Sequence, residues 1–486
     1  MADKKSKKIE TVPEGKVNAK PTKNFFVQML TRDIALMDAI MDLVDNCIDG
    51  VHREVKKSKK KDQYQYKGYY AEIVLNAKEF LLKDNCGGIP LEVAKHYAFR
   101  MGRSEEYHDD DKLETLGMYG IGMKRAIFKM GLQSDVISWH EKHTFKVHIP
   151  ENWVSLEEWL FDCTVLKKSD LKGVLKETGT AVRISNLHTE ISRQFQDKSG
   201  FITDLRKALR NHYGYIIQQG FRITVNGVKI DGIELNILTS SSSVKSQKAI
   251  KPYVYSATVD NVDIEVMVGF YRPLATEEEI DKEMAGDFAA SESENAGVTV
   301  LCNDRVVLYC DKTYLTGWGE NPVPKYHTQF IAIAGVVHFR SNNPIKLPVT
   351  TTKRGLDTSS PIYWASKNRI KEGLKIFTSF TNHWKKPSEE RAQLFQSSKK
   401  INALKPGQSK SPLIKLENKK RDDSGKYQIP ILPKPIETFD EKMVTIAFSR
   451  EKIKVEDIRN YFLEGKKKSA AEVGAWCFDK IYSQVE

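Results

Sequence analysis

Asp42, Asn46 and Asp49 stand at i, i+4 and i+7 in the run Asp42-Leu-Val-Asp-Asn-Cys-Ile-Asp49-Gly50. A helix turning about 100° per residue gathers these three short polar groups within roughly 60° of arc, on one face. Oxygen donors grouped this way suit magnesium, which takes oxygen ligands and keeps several waters, together with a polyphosphate. The opposite face carries Ile40, Leu43, Val44 and Ile48, with Met37, Ala39 and Met41 in the preceding turns, so it can bury against a sheet. Burying the polar cluster unpaired would cost roughly 2–7 kcal/mol per group. Taken alone, the helix is also explained by a capped, half-exposed segment whose acids face water.

Two glycine-rich segments follow in order. Ala71-Glu-Ile-Val-Leu-Asn alternates and runs into Glu79-Phe-Leu-Leu-Lys, which predicts a hairpin whose second strand ends at Asp84. Gly87 and Gly88, directly after that strand, let the backbone come close to a ligand, and a carboxylate at the strand end can accept the exocyclic amine of adenine. A plain Asp-Asn-x-Gly-Gly turn reads the same way. The third segment, Leu116-Gly-Met-Tyr-Gly-Ile-Gly-Met-Lys-Arg-Ala-Ile-Phe, opens a helix with Gly117, Gly120 and Gly122 around Ile121. Its unpaired amides form an anion cradle, to which Lys124 and Arg125 add positive charge.

The set resembles the GHKL ATPases, the Bergerat-fold superfamily that includes gyrase-type topoisomerases, MutL, histidine kinases, the ninety-kilodalton heat-shock chaperones and MORC proteins. The resemblance implies that Asp42, Asn46 and Asp49 occupy the places of a Glu-x-x-x-Asn-x-x-Asp helix, with Asp42 as general base and Asn46 as the Mg²⁺ ligand. Asp84-Asn-Cys-Gly-Gly88 corresponds to the Asp-x-Gly-x-Gly adenine motif, with Asp84 and Gly88 retained and Cys86 replacing its first glycine. Gly117, Gly120 and Gly122 match the Gly-x-x-Gly-x-Gly lid motif in full. Gly179-Thr180 fits the Gly-Thr pair of a later strand, which places Thr180 beside Asp84 at the adenine. Gly117–Gly122 with Lys124 would hold phosphates.

One departure has chemical weight. The family base is usually Glu, and the shorter Asp42 retracts its carboxylate by roughly an ångström, whereas a general base needs hydrogen-bond reach to the attacking water. Slow hydrolysis is the expectation. Asp45 lies about 60° from Asp42, on the side away from Asn46, and is the poorer candidate base. Residues 53–67 form a basic insertion directly after the motif helix, and residues 103–115 are polar and acidic where the family has its mobile ATP lid.

At 486 residues the chain has room for two to three domains, and its mean hydropathy of −0.47 leaves no apolar run of spanning length. No signal peptide is visible, and six scattered cysteines without a Cys-x-x-Cys pair point away from a zinc module and towards a reducing, cytoplasmic setting. The net charge of +12 favours acidic partners. Seven lysines fall in residues 1–23 and a further basic run spans 399–421, which could bind DNA through counterion release or simply solubilise a linker.

Beyond the ATP motifs a helix from Phe201 leads to Tyr213-Gly-Tyr and a strand pair around Asn226-Gly227. Strand-like runs follow at 262–270, 297–301, 305–309 and 330–339, with a helix around 366–380, suggesting a second α+β domain. It resembles the transducer domain of the gyrase, MutL and MORC branches, which delivers a lysine to the γ-phosphate. Lys353, in Leu347-Pro-Val-Thr-Thr-Thr-Lys-Arg-Gly-Leu-Asp, is the candidate, with Arg354 as the fallback. Residues 386–435 read as a linker. Ser469-Ala-Ala-Glu472 is a capping box opening a helix whose Trp476, Phe478, Ile481 and Tyr482 could pack or meet a partner.

The expectation is therefore an α+β protein. A basic tail (1–23) precedes a Bergerat-type α/β sandwich (24–190), a transducer-like domain (191–385), a linker (386–435) and a small helical module (436–486). The resemblance implies a Mg-dependent ATPase closest in layout to bacterial MORC-like or MutL-like proteins, with ATP-driven lid closure and homodimerisation acting as a clamp on DNA or in phage defence. The competing expectation is a non-hydrolysing ATP switch or chaperone-like assembly subunit. A histidine kinase would need a phosphoacceptor helix before the ATP domain, where only about 23 lysine-rich residues stand.

Overall fold

The computed structural model describes residues 15–17, 19, 21–58, 65–101, 120–171, 173–196, 200–240, 249–284, 293–350, 353–385, 389–403, 414, 416–418, 425–435, 446, 448–462 and 468–485. Gly117, the lid segment 103–115 and the centre of the basic insertion lie outside them, as does most of the basic run after 403. The chain divides into two units, Met1–Pro435 and Ile436–Glu486.

The first unit starts with α1 (Lys23–Arg32) and α2 (Leu36–Ser58). The hairpin of β1 (Tyr70–Leu75) and β2 (Glu79–Asp84) follows, then α3 (Leu91–Val93), which runs on as a π-helical turn to Ala98. Next come α4 (Gly122–Met130), β3 (Gly131–His140), β4 (His143–Ile149), β5 (Asp162–Val165) and β6 (Gly179–Leu187). Two helices, α5 (Thr189–Gln194) and α6 (Phe201–Gln218), lead into the short strands β7 (Arg222–Val225) and β8 (Val228–Lys229).

These strands form one eight-stranded sheet in the order β5-β4-β3-β6-β2-β1-β7-β8. Every neighbouring pair is antiparallel except β1 with β7. β1 and β2 each alternate buried and more exposed residues, the period-2 pattern of a sheet covered on one face. One hydrophobic core joins Ile40, Leu43, Val44 and Ile48 of α2 to Ala126 and Ile127 of α4, Leu205 and Leu209 of α6, and the inward residues of the strands. This is a two-layer α/β sandwich. Residues 222–229, read from sequence as part of the second domain, complete this first sheet. The parallel seat beside β1 needs the long crossover that α6 supplies.

The second sheet contains β10 (Tyr253–Val259), β11 (Val262–Phe270), β12 (Gly297–Cys302), β13 (Arg305–Asp311) and β14 (Ile333–Arg340), after the short β9 (Asn236–Ser240). Between β11 and β12 runs α7 (Glu277–Met284). The 23-residue α8 (Pro361–His383) packs on this sheet, its Leu374, Phe377 and Phe380 sharing a core with Val266, Val268 and Phe270. The strand expected over 330–339 starts at Ile333, since Phe330 closes a 3₁₀ turn (Thr328–Phe330) before β14. The stretch 386–435, expected as linker, contributes α9 (Glu389–Gln393), β15 (Ser398–Asn402), β16 (Glu417–Asn418) and β17 (Lys426–Gln428). β15 pairs with β9 and β17 with β10, so edges already present recruit a segment with little periodicity of its own.

The second unit contains α10 (Lys452–Phe462) and α11 (Ala470–Tyr482). Ser469 and Glu472 form the expected reciprocal capping box on α11. No helix among the described residues is long and apolar enough to cross a membrane.

Candidate nucleotide site

At one end of the first sheet, β2 and β6 bring Asp84 beside Thr180. Asp84 is buried, and its Oδ1 accepts from the backbone N–H of Cys86 at 2.7 Å and of Thr180 at 3.3 Å, while the Cys47 thiol lies 3.6 Å from Oδ2. Burial lifts the carboxyl from 3.8 to about 6, and those hydrogen bonds limit the rise. The surrounding glycines are sterically required. A Cβ on Gly179 would stand 2.0 Å from the Asp84 carbonyl oxygen, and one on Gly88, at φ +72°, would stand 2.3 Å from the Trp139 carbonyl oxygen. Cys86, in place of the motif glycine, is buried against Gly50 of α2, where only a glycine leaves it room.

Asn46 is the only exposed residue between Ala39 and Gly50. Its amide opens outward from a helix otherwise packed on all sides, so it suits a metal-bound polyphosphate. Asp49, one turn further on, is buried. At the start of α4, Gly120 is exposed with φ +63°, Ile121 is the N-cap and Gly122 abuts Asp42, where an added Cβ would lie 3.3 Å from the Asp42 Cβ. Lys124, expected at the phosphates, instead turns inward. Its ammonium donates to the carbonyls of Ala98 (2.8 Å) and Gly120, tying together the two ends of the segment that spans the lid. Burial lowers its pKa to about 8.

The opposite end of the site is ionic. Asp42 is buried, with Arg125 of α4 bonded to its Oδ2 and Lys353 Nζ at 3.5 Å from its Oδ1. Lys353 approaches Asp45 still more closely, donating to Oδ2 at 2.7 Å across 308 positions of sequence. Asp45 Oδ1 also takes the Tyr213 hydroxyl at 2.6 Å and forms an ion pair with Arg305, whose Nε lies 2.9 Å away, and Arg305 donates a hydrogen bond to the carbonyl of Lys353. Burial alone would raise the Asp45 pKa, but Arg305 and then Lys353 bring it below the ordinary value. Burial would lower that of Lys353, and Asp45 followed by Asp42 leave it raised. The fallback residue, Arg354, pairs with Asp38 at 2.6 Å and not with Asp42.

Arg305 reaches this point because Asn303 and Asp304, at φ +46° and +69°, form the tight turn that joins β12 to β13. Asp304 makes a second junction between the two domains, accepting from Tyr66 at 3.0 Å, and on its own side His338 Nε2 of β14 lies 3.2 Å away. Tyr66 is in turn 3.0 Å from His52 of α2.

The sandwich, the buried acceptor beside a Gly-Thr strand and the glycine-opened helix facing a carboxylate-bearing helix define a GHKL-type nucleotide-binding domain. Residues 34–178 match the family model described as histidine kinase-, DNA gyrase B-, and HSP90-like ATPase. The match makes this segment a GHKL-type domain, which supports ATP binding. No curated protein matches the chain significantly.

Sequence reasoning joined Asp42, Asn46, Asp84 and Thr180 in one site and placed Lys353 near it. It missed Arg305 and Tyr213 and set Asp45 aside. The Asn-Asp pair between two strand-like runs was a legible hairpin signal, but nothing local marks the following arginine as buried.

Proposed function

We propose that the protein is a Mg-dependent ATPase whose second domain reads the γ-phosphate through Lys353. The supporting observation is the reach of Lys353 from the second domain to both Asp42 and Asp45 on the helix that also carries Asn46. Asn46 would hold the magnesium ion, which when bound draws charge from the polyphosphate. Asp84 and Thr180 would receive the adenine amine and its water, and Gly120, Ile121 and Gly122, with Gly117, would turn amides to the phosphates. Asp42 would orient the attacking water and take its proton as the new O–P bond forms and ADP leaves with the bridging oxygen. Lys353 would neutralise charge developing on the γ-phosphoryl oxygens. Closure of segment 103–115 would exclude water and favour a homodimer that clamps DNA or a partner, with the basic tails and residues 53–67 meeting phosphates. A cytoplasmic setting fits the six unpaired cysteines.

A second reading, a switch that binds ATP without turning it over, has its own support: Asp42 is a methylene shorter than Glu and is paired to both Arg125 and Lys353. ATP turnover and oligomeric state, with and without an ATP analogue, separate the two in wild type and Asp42→Ala. The ATPase reading expects turnover that falls by about 10²–10⁴-fold in the variant. Nucleotide-linked dimerisation with no turnover in either protein would leave only the switch. Retention on DNA at low salt, weakened by neutralising residues 53–67, tests the clamp separately.

A further inference from the structure

Asp45 has no exposed surface, so it touches neither water nor substrate. Its carboxylate is nevertheless the meeting point of three elements. Tyr213 comes from α6, Arg305 from the turn into β13 and Lys353 from the loop after β14. Arg305 grips both the Asp45 carboxylate and the backbone carbonyl of Lys353, whose φ of +57° is a left-handed conformation that a lysine rarely adopts unaided. The turn around Lys353 is closed by its own N–H to the Thr350 carbonyl at 2.9 Å. Two carboxylates, Asp42 and Asp45, here face three cations, Arg125, Arg305 and Lys353. The surplus is positive, as suits an incoming phosphate.

We propose that Asp45 is a positioning residue for ATP hydrolysis: it seats Lys353 and Arg305 of the second domain so that Lys353 faces the γ-phosphate and is drawn to Asp45 more closely than to the base Asp42. The distances carry the point, since Lys353 is 2.7 Å from Asp45 and 3.5 Å from Asp42. Without the Asp45 charge, the ammonium keeps Asp42 as its one carboxylate partner among the described residues and closes on the base itself. The inference rests on the reading of Lys353 as the γ-phosphate ligand.

The test compares Asp45→Asn, Asp45→Glu, Tyr213→Phe and Lys353→Met in the full chain. Steady-state ATP turnover is measured alongside equilibrium affinities for ADP and ATPγS. For Asp45→Asn the expected result is a fall in kcat of about tenfold or more with KM within about threefold. The ATPγS-over-ADP preference should collapse as it does in Lys353→Met, with ADP affinity unchanged and partial recovery in Asp45→Glu. Tyr213→Phe keeps the charges and removes one hydrogen bond to Asp45, so it should lose about threefold in kcat and decides the matter if Asp45→Asn does not fold. Variants at 45 and 213 that melt earlier yet keep wild-type kcat and γ-phosphate preference, while Lys353→Met loses both, would make Asp45 merely structural. A Lys353→Met protein that still prefers ATPγS would instead overturn the reading of Lys353, and this proposal with it.

Discussion

Asp84, packed against α2, and Asp45, carried on it, are both buried carboxylates, yet their surroundings drive them in opposite directions. Asp84 meets two backbone N–H groups and a thiol, all neutral, and burial wins, lifting it to about 6. Asp45 meets a guanidinium and an ammonium, and the cations win, holding it ionised. The adenine end is built by backbone register within one sheet, β2 against β6, with glycines where backbones touch. The phosphate end is built by charges from distant parts of the chain. The first should be sensitive to shape and pH, and the second to the removal of charge.

The widest gap between the two ends should open with Arg305→Met. It leaves Asp45 buried with Lys353 as its single cation and unties the Lys353 carbonyl. Breaking one member of a buried ionic cluster costs about 3–5 kcal/mol, readable as a drop in the urea midpoint of the first unit. A loss under about 1 kcal/mol would mean that packing, not charge, joins the two sheets there.

At the adenine end the corresponding test is steric. Gly88→Ala forces a Cβ against the Trp139 carbonyl at a positive φ, and overpacking of this kind costs about 1–3 kcal/mol. ADP binding by calorimetry should be lost or nearly so, because the loop must move away from Asp84. A variant that binds ADP normally would show that the Asp84–Gly88 turn does not line the site.

The same contrast governs what was legible in the sequence. Asp84, Gly88 and Gly179-Thr180 announce themselves because backbones approach closely around them, and steric need there dictates residue type. The helix α2 was equally plain, but of the three polar residues that the spacing puts on one face Asn46 is exposed while Asp42 and Asp49 are buried. Arg305, Tyr213 and Asp45 were not legible, because an arginine at a strand start, a helical tyrosine and an acid flanking a motif each have ordinary surface or core explanations. Their partnership exists only once two sheets dock. The strands β15 and β17 were hidden for a related reason: each is recruited by an existing edge and not by its own hydrophobic pattern.

A pH titration sharpens the comparison further. The Asp84 carboxyl is raised from 3.8 to about 6, so folding favours its protonated form, and the stability this contributes at low pH is lost as pH rises through about 6. Acceptance of the adenine amine needs the carboxylate, so ADP affinity should be flat above about 7 and fall by up to about tenfold at pH 5, one unit below the midpoint. Asp84→Asn should bind more weakly and lose this slope. Asp45, held below the ordinary carboxylate range, should add nothing over that window. An unchanged affinity from pH 7.5 to 5 would remove Asp84 from the adenine contact.

The smallest effect is expected where the ionic end reaches solvent. Arg354 pairs with Asp38 at 2.6 Å, but the arginine side chain is 29% exposed and the aspartate 11%. Burial raises the Asp38 pKa even with Arg354 beside it, so desolvation already offsets much of what the pair gains. A double-mutant cycle with Arg354→Gln and Asp38→Asn should return a coupling of about 0–1 kcal/mol, screened further by salt. Turnover should be little changed, since among the described residues neither side chain forms an ion pair with Asp42 or Lys353. A coupling above about 2 kcal/mol, or a loss of γ-phosphate preference in Arg354→Gln matching that of Lys353→Met, would extend the charge network to the rim. Arg354, not Lys353 alone, would then have to be counted among the cations that the second domain presents to the nucleotide.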